Sequence, residues 1–532
     1  MKRYIILSAT LLISLGLAGQ NINPEVQVTN EYQTRISDIE KQNTAMTVPD
    51  SMLRFDYHFD YSVFDSPYKG AYEFSPYAVK ITPEARSYDG RKLYLNAGAG
   101  WTLHPELDAV WSVVDNKKVA LDIFANGNGF YGDYRWIKDQ YLEVDENIRG
   151  YGWDFRTVAG AASRFYIGPV ILRAELGYDG IFQGHEISGN NSAGHAPWAA
   201  VKVSRQSSDG FSFNADVRYR YVNDNSTLMP AEDHDVLVRA DLLPYGSGNA
   251  GIGVKLKYVY NTWYMGAGAV PHLRIRNGNW DIDAGAELVW NNADEERQFF
   301  VSPSVRAVYH AIPACLDVYA TAIGSDNMMS YWDYKTRIHH YAGTFCNPQP
   351  VRDIADLCLG VDGFFGWGLK YDAKVGYDFM QNMPFWGLDA NGKEALLFQD
   401  AQMLHADLDF SWNWKSFDVE GEVHYKWFPQ ELSAGTFTPS AVTARLSAGY
   451  NWMKRIYVNV NASMATQRET LFRGTQVVIP WYVDLGLKAE YKLNGNIGFW
   501  LKGQNLLNQD IRISPMYSQW GPAIIAGVTL SF

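Results

Sequence analysis

Beyond its first nineteen residues the chain has no apolar run of the roughly 18 or more residues that a membrane-spanning helix needs, which excludes helical spans there. Cysteine is scarce and odd in number, with only Cys315, Cys346 and Cys358, so no dense disulfide framework holds the fold. In an oxidising envelope one pair can bridge, Cys346–Cys358 being the closer in sequence, but spacing alone leaves connectivity open. Positive charge is also in deficit, with 46 basic against 58 acidic residues and a net charge of −12. Phosphate binding needs a basic surface, so nucleic acid is not an expected partner. No Gly-rich phosphate loop and no serine elbow stands out, and no enzyme activity is expected.

Aromatic residues, by contrast, are plentiful, at 15% of the chain with 34 Tyr and 18 Trp. The N-terminus reads as a secretory signal: Lys2 and Arg3, an apolar stretch from Tyr4 to Leu17, then Ala18 and Gly19. Residues 1–19 are therefore expected to be removed, with Gln20 rather than a lipidated cysteine at the new end. Loss of Lys2 and Arg3 deepens the negative charge by two.

The last residues carry the clearest pattern. Ile524, Ala526, Val528, Leu530 and Phe532 fall on one side of an extended ribbon, and Ile525, Gly527, Thr529 and Ser531 on the other. This is the pattern of the closing strand of an outer-membrane barrel, apolar toward lipid and small or polar toward the lumen. Similar ribbons recur upstream. Phe211–Tyr221, Ile252–Tyr260, Leu404–Trp414 and Ile456–Met464 alternate, without an intervening helical period. In Trp481–Tyr491 an apolar face with aromatic ends stands opposite Asp484, Gly486, Lys488 and Glu490. Ten steps at ~3.3 Å, tilted by ~40°, project to roughly 25 Å, the height of the lipid-facing band. Charges so dense along one face would be costly in a dry core, whereas a barrel gives them water.

The expected fold is all-β, a large antiparallel transmembrane barrel over residues 91–532 with an even number of strands, about 16–22. Asp115-Asn116 and Trp452-Met453-Lys454 suit short periplasmic turns. Gly180–Pro197, Asn223–Asp233, Gln381–Ala395 and Gln467–Thr475 suit extracellular loops, and Ser325–Asp353 is a long connection of unassigned side. Residues 20–90 form a leader. Phe55, Tyr57, Phe59 and Tyr61 share one face of it and form a candidate docking stripe, since burying such rings is worth about 1.5–3 kcal/mol each.

Several polar residues are assigned to the lumen wall: Arg173 with Glu175, Asp216 with Arg218 and Arg220, Glu420 and Glu422 (in line with His424 and Lys426), and Lys488 with Glu490. Walls of mixed sign suit polar solutes without strong ionic preference. His339 and His340, near Cys346 and Asp353, lack ligand spacing, so neither metal nor cofactor is expected. His185 and His195 lie in a Gly/Asn-rich stretch and are read as solvated.

At Gly503-Gln504-Asn505-Leu506-Leu507-Asn508-Gln509-Asp510, followed by Gly521-Pro522 and the strand ending in Phe532, the chain resembles the C-terminus of TonB-dependent receptors. Pro67-Tyr68-Lys69, Tyr72-Glu73-Phe74-Ser75-Pro76 and Leu93–Gly100 resemble a plug-less branch of that family from Bacteroidota. The resemblance implies an outer-membrane barrel that passes or takes up a solute. Outer-membrane lipid and the barrel-assembly machinery, which reads Ile524, Val528, Leu530 and Phe532, are its implied partners. The leader is shorter than the family's globular plug, which leaves a second reading: a non-transporting scaffold with a lipoprotein or periplasmic partner.

Overall fold

The computed structural model describes residues 92–532, except 102, 138–146, 186–190, 206–209, 227–229, 246–249, 294–297, 314, 338–347, 391–393 and 513–520. The expected signal segment, the leader and its stripe Phe55, Tyr57, Phe59 and Tyr61, together with His339, His340 and Cys346, lie outside the described residues.

The strands in chain order are β1 (Leu93–Trp101), β2 (Glu106–Asp115), β3 (Val119–Ile137), β4 (Asn147–Ile167), β5 (Val170–His185), β6 (Asn191–Arg205), β7 (Gly210–Asp224) and β8 (Ala231–Tyr245). Next come β9 (Ala250–Tyr260), β10 (Met265–Asn277), β11 (Trp280–Asn291), β12 (Phe299–Ile312) and β13 (Leu316–Asn327). The helix α1 (Tyr331–Arg337) follows, then β14 (Val351–Phe365), β15 (Leu369–Leu388), β16 (Glu394–Trp414), β17 (Phe417–Trp427), β18 (Val442–Trp452) and β19 (Ile456–Ala465). A hairpin of β20 (Arg468–Phe472) and β21 (Thr475–Ile479) precedes β22 (Tyr482–Lys492), β23 (Ile497–Gln504) and β24 (Ala523–Ser531).

Twenty-two of these strands form one antiparallel sheet. β19 pairs with β22, so the β20–β21 hairpin stands outside it, and β24 pairs with β1, which closes the ring. Closure leaves no unpaired sheet edge, the condition for crossing a bilayer with strands. Among the described residues no helix is long and apolar enough to cross a membrane.

One set of connections is short. Gly168 and Gly278 open two-residue turns at φ near +59° and +57°, the left-handed geometry that suits the twist of the flanking strands. At the expected turn after Asp115, Asn116 Oδ1 accepts from the amides of Lys118 and Val119, both at 2.9 Å. Met453 and Lys454 also take positive φ.

The apolar residues alternate outward. Leu176 is 67% exposed and Ile252 70%, in line with Val301, Leu359 and Val375 in the belt. Near the short turns, Phe365, Trp367, Trp412, Trp414, Phe417 and Tyr450 touch in succession, with ring centroids 4.6–6.4 Å apart. On β17 the outward row runs from Phe417 to Tyr425 and Trp427, so rings stand at both ends of the band.

Strands run further than the sequence suggests. Gly180–Pro197 is largely β5 and β6, Asn223–Asp233 contains the ends of β7 and β8, Gln381–Ala395 contains the end of β15 and the start of β16, and Gln467–Thr475 opens the β20–β21 hairpin. Ladder hydrogen bonds do not require apolar side chains, and here the polar residues facing inward find partners. Ser192 Oγ, for example, donates to Asp224 Oδ1 at 2.7 Å.

At the seam, Trp500 of β23 lies over two glycines. Gly527 pairs with Trp500 on one side and with Gly98 on the other. A Cβ at Gly98 would stand 2.5 Å from the indole, and one at Gly527 2.3 Å. Side chains at these two positions would displace the ring.

Candidate functional site: an inward-folded segment and the polar inner wall

Residues Met328–Arg337, between β13 and β14, fold into the ring. Ser330 caps α1: the Asp333 amide donates to Ser330 Oγ at 3.3 Å and the Ser330 amide to Asp333 Oδ2 at 3.1 Å. A helix of seven residues is marginal alone, so its packing must hold it.

That packing reaches far around the barrel. Trp332 Nε1 donates to Asp179 Oδ2 of β5 at 3.0 Å, and Tyr331 Oη to Asp224 Oδ2 of β7 at 2.7 Å. Lys335 Nζ lies 2.7 Å from Asp224 Oδ2 and 2.5 Å from Ser192 Oγ. Arg220 of β7 donates to Ser330 Oγ at 2.7 Å and Asp333 Oδ1 at 3.1 Å. Tyr264 Oη donates to Met329 O at 2.7 Å. Tyr331, Trp332 and Tyr334 form one apolar cluster with Ile181 of β5, Ala196 of β6, Val222 of β7 and Leu396 of β16. β5 and β16 stand halfway round the ring from each other, so the cluster ties opposite walls across the mouth. Three buried aromatic side chains contribute roughly 1.5–3 kcal/mol each to this docking.

These contacts fix which side chains of β5 and β7 point inward, because neighbours alternate. Arg173 and Glu175 share the side of Asp179, and they pair at 2.5 Å. Asp216, Arg218 and Arg220 share a side, but Asp216 does not pair with its strand neighbours. It meets Arg239 of β8 at 3.2 Å, while Arg218 and Arg220 reach Asp235 of β8 at 3.2 and 2.5 Å. Lys488 lies 5.8 Å from the Trp500 ring centre, and Glu490 is buried on the same side of β22. Glu420 shares its side of β17 with Glu422, which is buried and meets Arg445 at 3.1 Å. His195 is not solvated: it is half-buried, with Nδ1 at 2.7 Å from Tyr178 Oη and its ring edge-on to Phe182.

A second polar group spans β14 to β18. His405 is at its centre, with Nε2 at 2.9 Å from Asp356 Oδ1 and Nδ1 at 2.8 Å from Asp407 Oδ2. Asp407 Oδ1 continues to His424 Nδ1 at 2.6 Å, and His424 Nε2 lies 3.5 Å from Glu422. Cys358 is a buried free thiol, 3.1 Å from Asp356 Oδ1 and 3.6 Å from His405 Nε2. Sequence reading singled out Glu422 and His424 but missed Asp356, Cys358, His405 and Asp407. A signal was present: Asp356-Leu357-Cys358 and His405-Ala406-Asp407 each place two polar residues on one side of a strand. What could not be read is that the two strands lie one strand apart with a glycine between them.

The whole barrel is similar to solved receptor structures. It superposes on the siderophore receptor PirA from Acinetobacter baumannii with TM-score 0.61 and 10% identity, covering 83% of this chain and 80% of that one. The copper transporter OprC gives 0.59 and 12%, with 83% and 80% covered. The FrpB iron transporter from Neisseria meningitidis gives 0.62 and 9%, with 83% and 81% covered. The chain shares their closed barrel fold. That is the fold its two ends resemble, and at these identities the likeness is one of fold. No protein-family model and no curated protein matches the sequence.

Proposed function

We propose that this chain is an outer-membrane barrel that takes up a polar solute, with Met328–Arg337 as its constriction and the leader as a partial plug. The observation that carries this reading is the docking of α1 between opposite walls through Asp179, Asp224, Arg220 and Leu396. A scaffold without a pore gains nothing from a polar, ion-paired segment across its mouth, whereas a selective channel needs one. The similar barrels bear the names of a siderophore receptor, a copper transporter and an iron transporter, which favours uptake over catalysis. The inner walls, where Arg173, Arg218 and Arg220 alternate with Glu175, Asp216 and Asp235, suit a solute with polar groups of both signs. Outer-membrane lipid around the belt and the assembly machinery at β24 are the partners of this reading.

The test is conductance of the purified full-length protein in planar bilayers. Wild type should give a small, steady conductance. Trp332→Ser together with Lys335→Ser should raise it several-fold, because the constriction undocks. No conductance in either protein, with a lipoprotein or periplasmic subunit co-purifying from native membranes, would replace uptake by the scaffold reading.

A further inference from the structure

We propose that Asp356, Cys358 and His405 form a binding site for a thiophilic divalent cation, Zn²⁺ or a chemical relative, on the inner wall of the barrel. The three candidate ligand atoms stand 2.9, 3.1 and 3.6 Å apart. Zinc bonded at ~2.3 Å to sulfur and ~2.0–2.2 Å to nitrogen and oxygen in a tetrahedron sets its ligands roughly 3.3–3.6 Å apart. Two of the three spacings need to open by only a few tenths of an ångström. Thiolate, imidazole and carboxylate together select zinc and its softer neighbours over magnesium or calcium.

The backbone makes room for this meeting. Cys358 of β14 pairs with Gly376 of β15, and Gly376 pairs with His405 of β16. The two side chains can touch only because the residue between them has none. A Cβ at Gly376 would lie 2.4 Å from His405 Nε2 and 2.5 Å from Cys358 Sγ, in the space the cation would take.

The surroundings fit a metal-ligating histidine as well. Asp407 Oδ2 accepts from His405 Nδ1 at 2.8 Å, the outer carboxylate contact that orients such an imidazole and leaves Nε2 for a metal. Asp378 stands opposite Asp356 on β15, buried, with Oδ1 making no hydrogen bond. Asp356, Asp378 and Asp407 gather here, with the Lys374 ammonium 3.6 Å from Asp407 as the nearby fixed cation. Asp356 is the most open of the three ligands, with its side chain 32% exposed, so entry and a fourth ligand come from the lumen. On binding, the Cys358 thiol gives its proton to solvent and the cation replaces the proton between His405 Nε2 and Asp356.

Cobalt serves as a visible stand-in for zinc in the purified full-length protein, after chelation and with folding checked by heat-modifiable migration. One Co²⁺ per chain with a thiolate charge-transfer band is expected, and Zn²⁺ should displace it. Cys358→Ser should lose the band, although Cys315 and Cys346 remain. His405→Ala and Gly376→Ala should weaken binding at least ten-fold, Asp407→Asn about ten-fold, and His272→Ala should leave it unchanged. In wild type, without any substitution, Zn²⁺ should protect Cys358 from alkylation as read by mass spectrometry. Absence of the band in folded wild type, its survival in Cys358→Ser, or alkylation of Cys358 indifferent to Zn²⁺ would overturn the site. None of these readouts depends on solute passage.

Discussion

Lys335 of α1 and Asp224 at the end of β7 form an ion pair at 2.7 Å with both side chains fully buried. Such a pair is held by its surroundings as much as by its charges, because removing both ions from water costs several kcal/mol. Ser192 and Tyr331 supply the further hydrogen bonds that make it tolerable.

Breaking one side of this pair should undock the constriction. Asp224→Asn leaves a buried ammonium without its counter-charge, a loss of about 3–5 kcal/mol. Single-channel recordings should show larger or flickering conductance. Lys335→Met with Asp224→Leu, which removes both charges, should come back toward the wild-type level.

Acid should open the same segment. Burial pushes the Asp333 carboxyl up, but the Arg220 and Arg218 guanidiniums outweigh it and hold it below the ordinary carboxylate value. A carboxyl with a lowered folded-state pKa contributes its full share above its free pKa of about 4, and that share fades as pH falls through the lowered value. Conductance should therefore step up below about pH 4. In Asp333→Asn the step should be absent, with the open level already present at neutral pH.

Filling the seam should weaken closure. Gly98→Val or Gly527→Val pushes Trp500 off the β24–β1 pairing and from its hydrogen bond to Asn96 Oδ1 at 2.5 Å. Heat-modified migration should shift to a lower temperature in both, whereas Gly366→Ala, with nothing within 4 Å and no left-handed backbone, should move it less.

The closing strand should govern assembly. Leu93 and Phe532 exchange backbone hydrogen bonds at 2.7 and 2.8 Å, so the last residue still belongs to the seam. Phe532→Asp also places charge against lipid, at a depth-dependent cost smaller than the ~2–4 kcal/mol of a midplane Arg or Lys. Folded barrel at the cell surface should fall sharply in that variant and on removal of Leu530–Phe532. Equal surface levels would show that the terminal strand is not the assembly signal.

Deletion of Gln20–Asp89 should raise conductance if Phe55, Tyr57, Phe59 and Tyr61 dock in the lumen. If the leader is a partner-binding arm, conductance should stay the same and the partner should be lost. The two outcomes separate a plug from an arm without further assumptions.

Alternation by itself determined the architecture. A two-residue period, aromatic ends and an apolar final face leave a wide closed sheet as the one way to turn Lys488 and Glu490 to the inner wall and Leu485 and Leu487 toward lipid. The count of 22 strands lies within what that pattern allowed. Strand ends were not legible, because Gln183, Ser192 and Asp233 look like loop residues until their inward partners are known. Nor was α1, a short helix whose stability comes from walls far away in sequence. The same holds for Asp356, Cys358 and His405. Periodicity places each on a face, but register decides which faces meet, and only pairing through Gly376 brings residues 47 positions apart within 3.6 Å. Local pattern is set by neighbours along the chain. Contact between strands is set by hydrogen-bond register, which the sequence of neither strand contains alone.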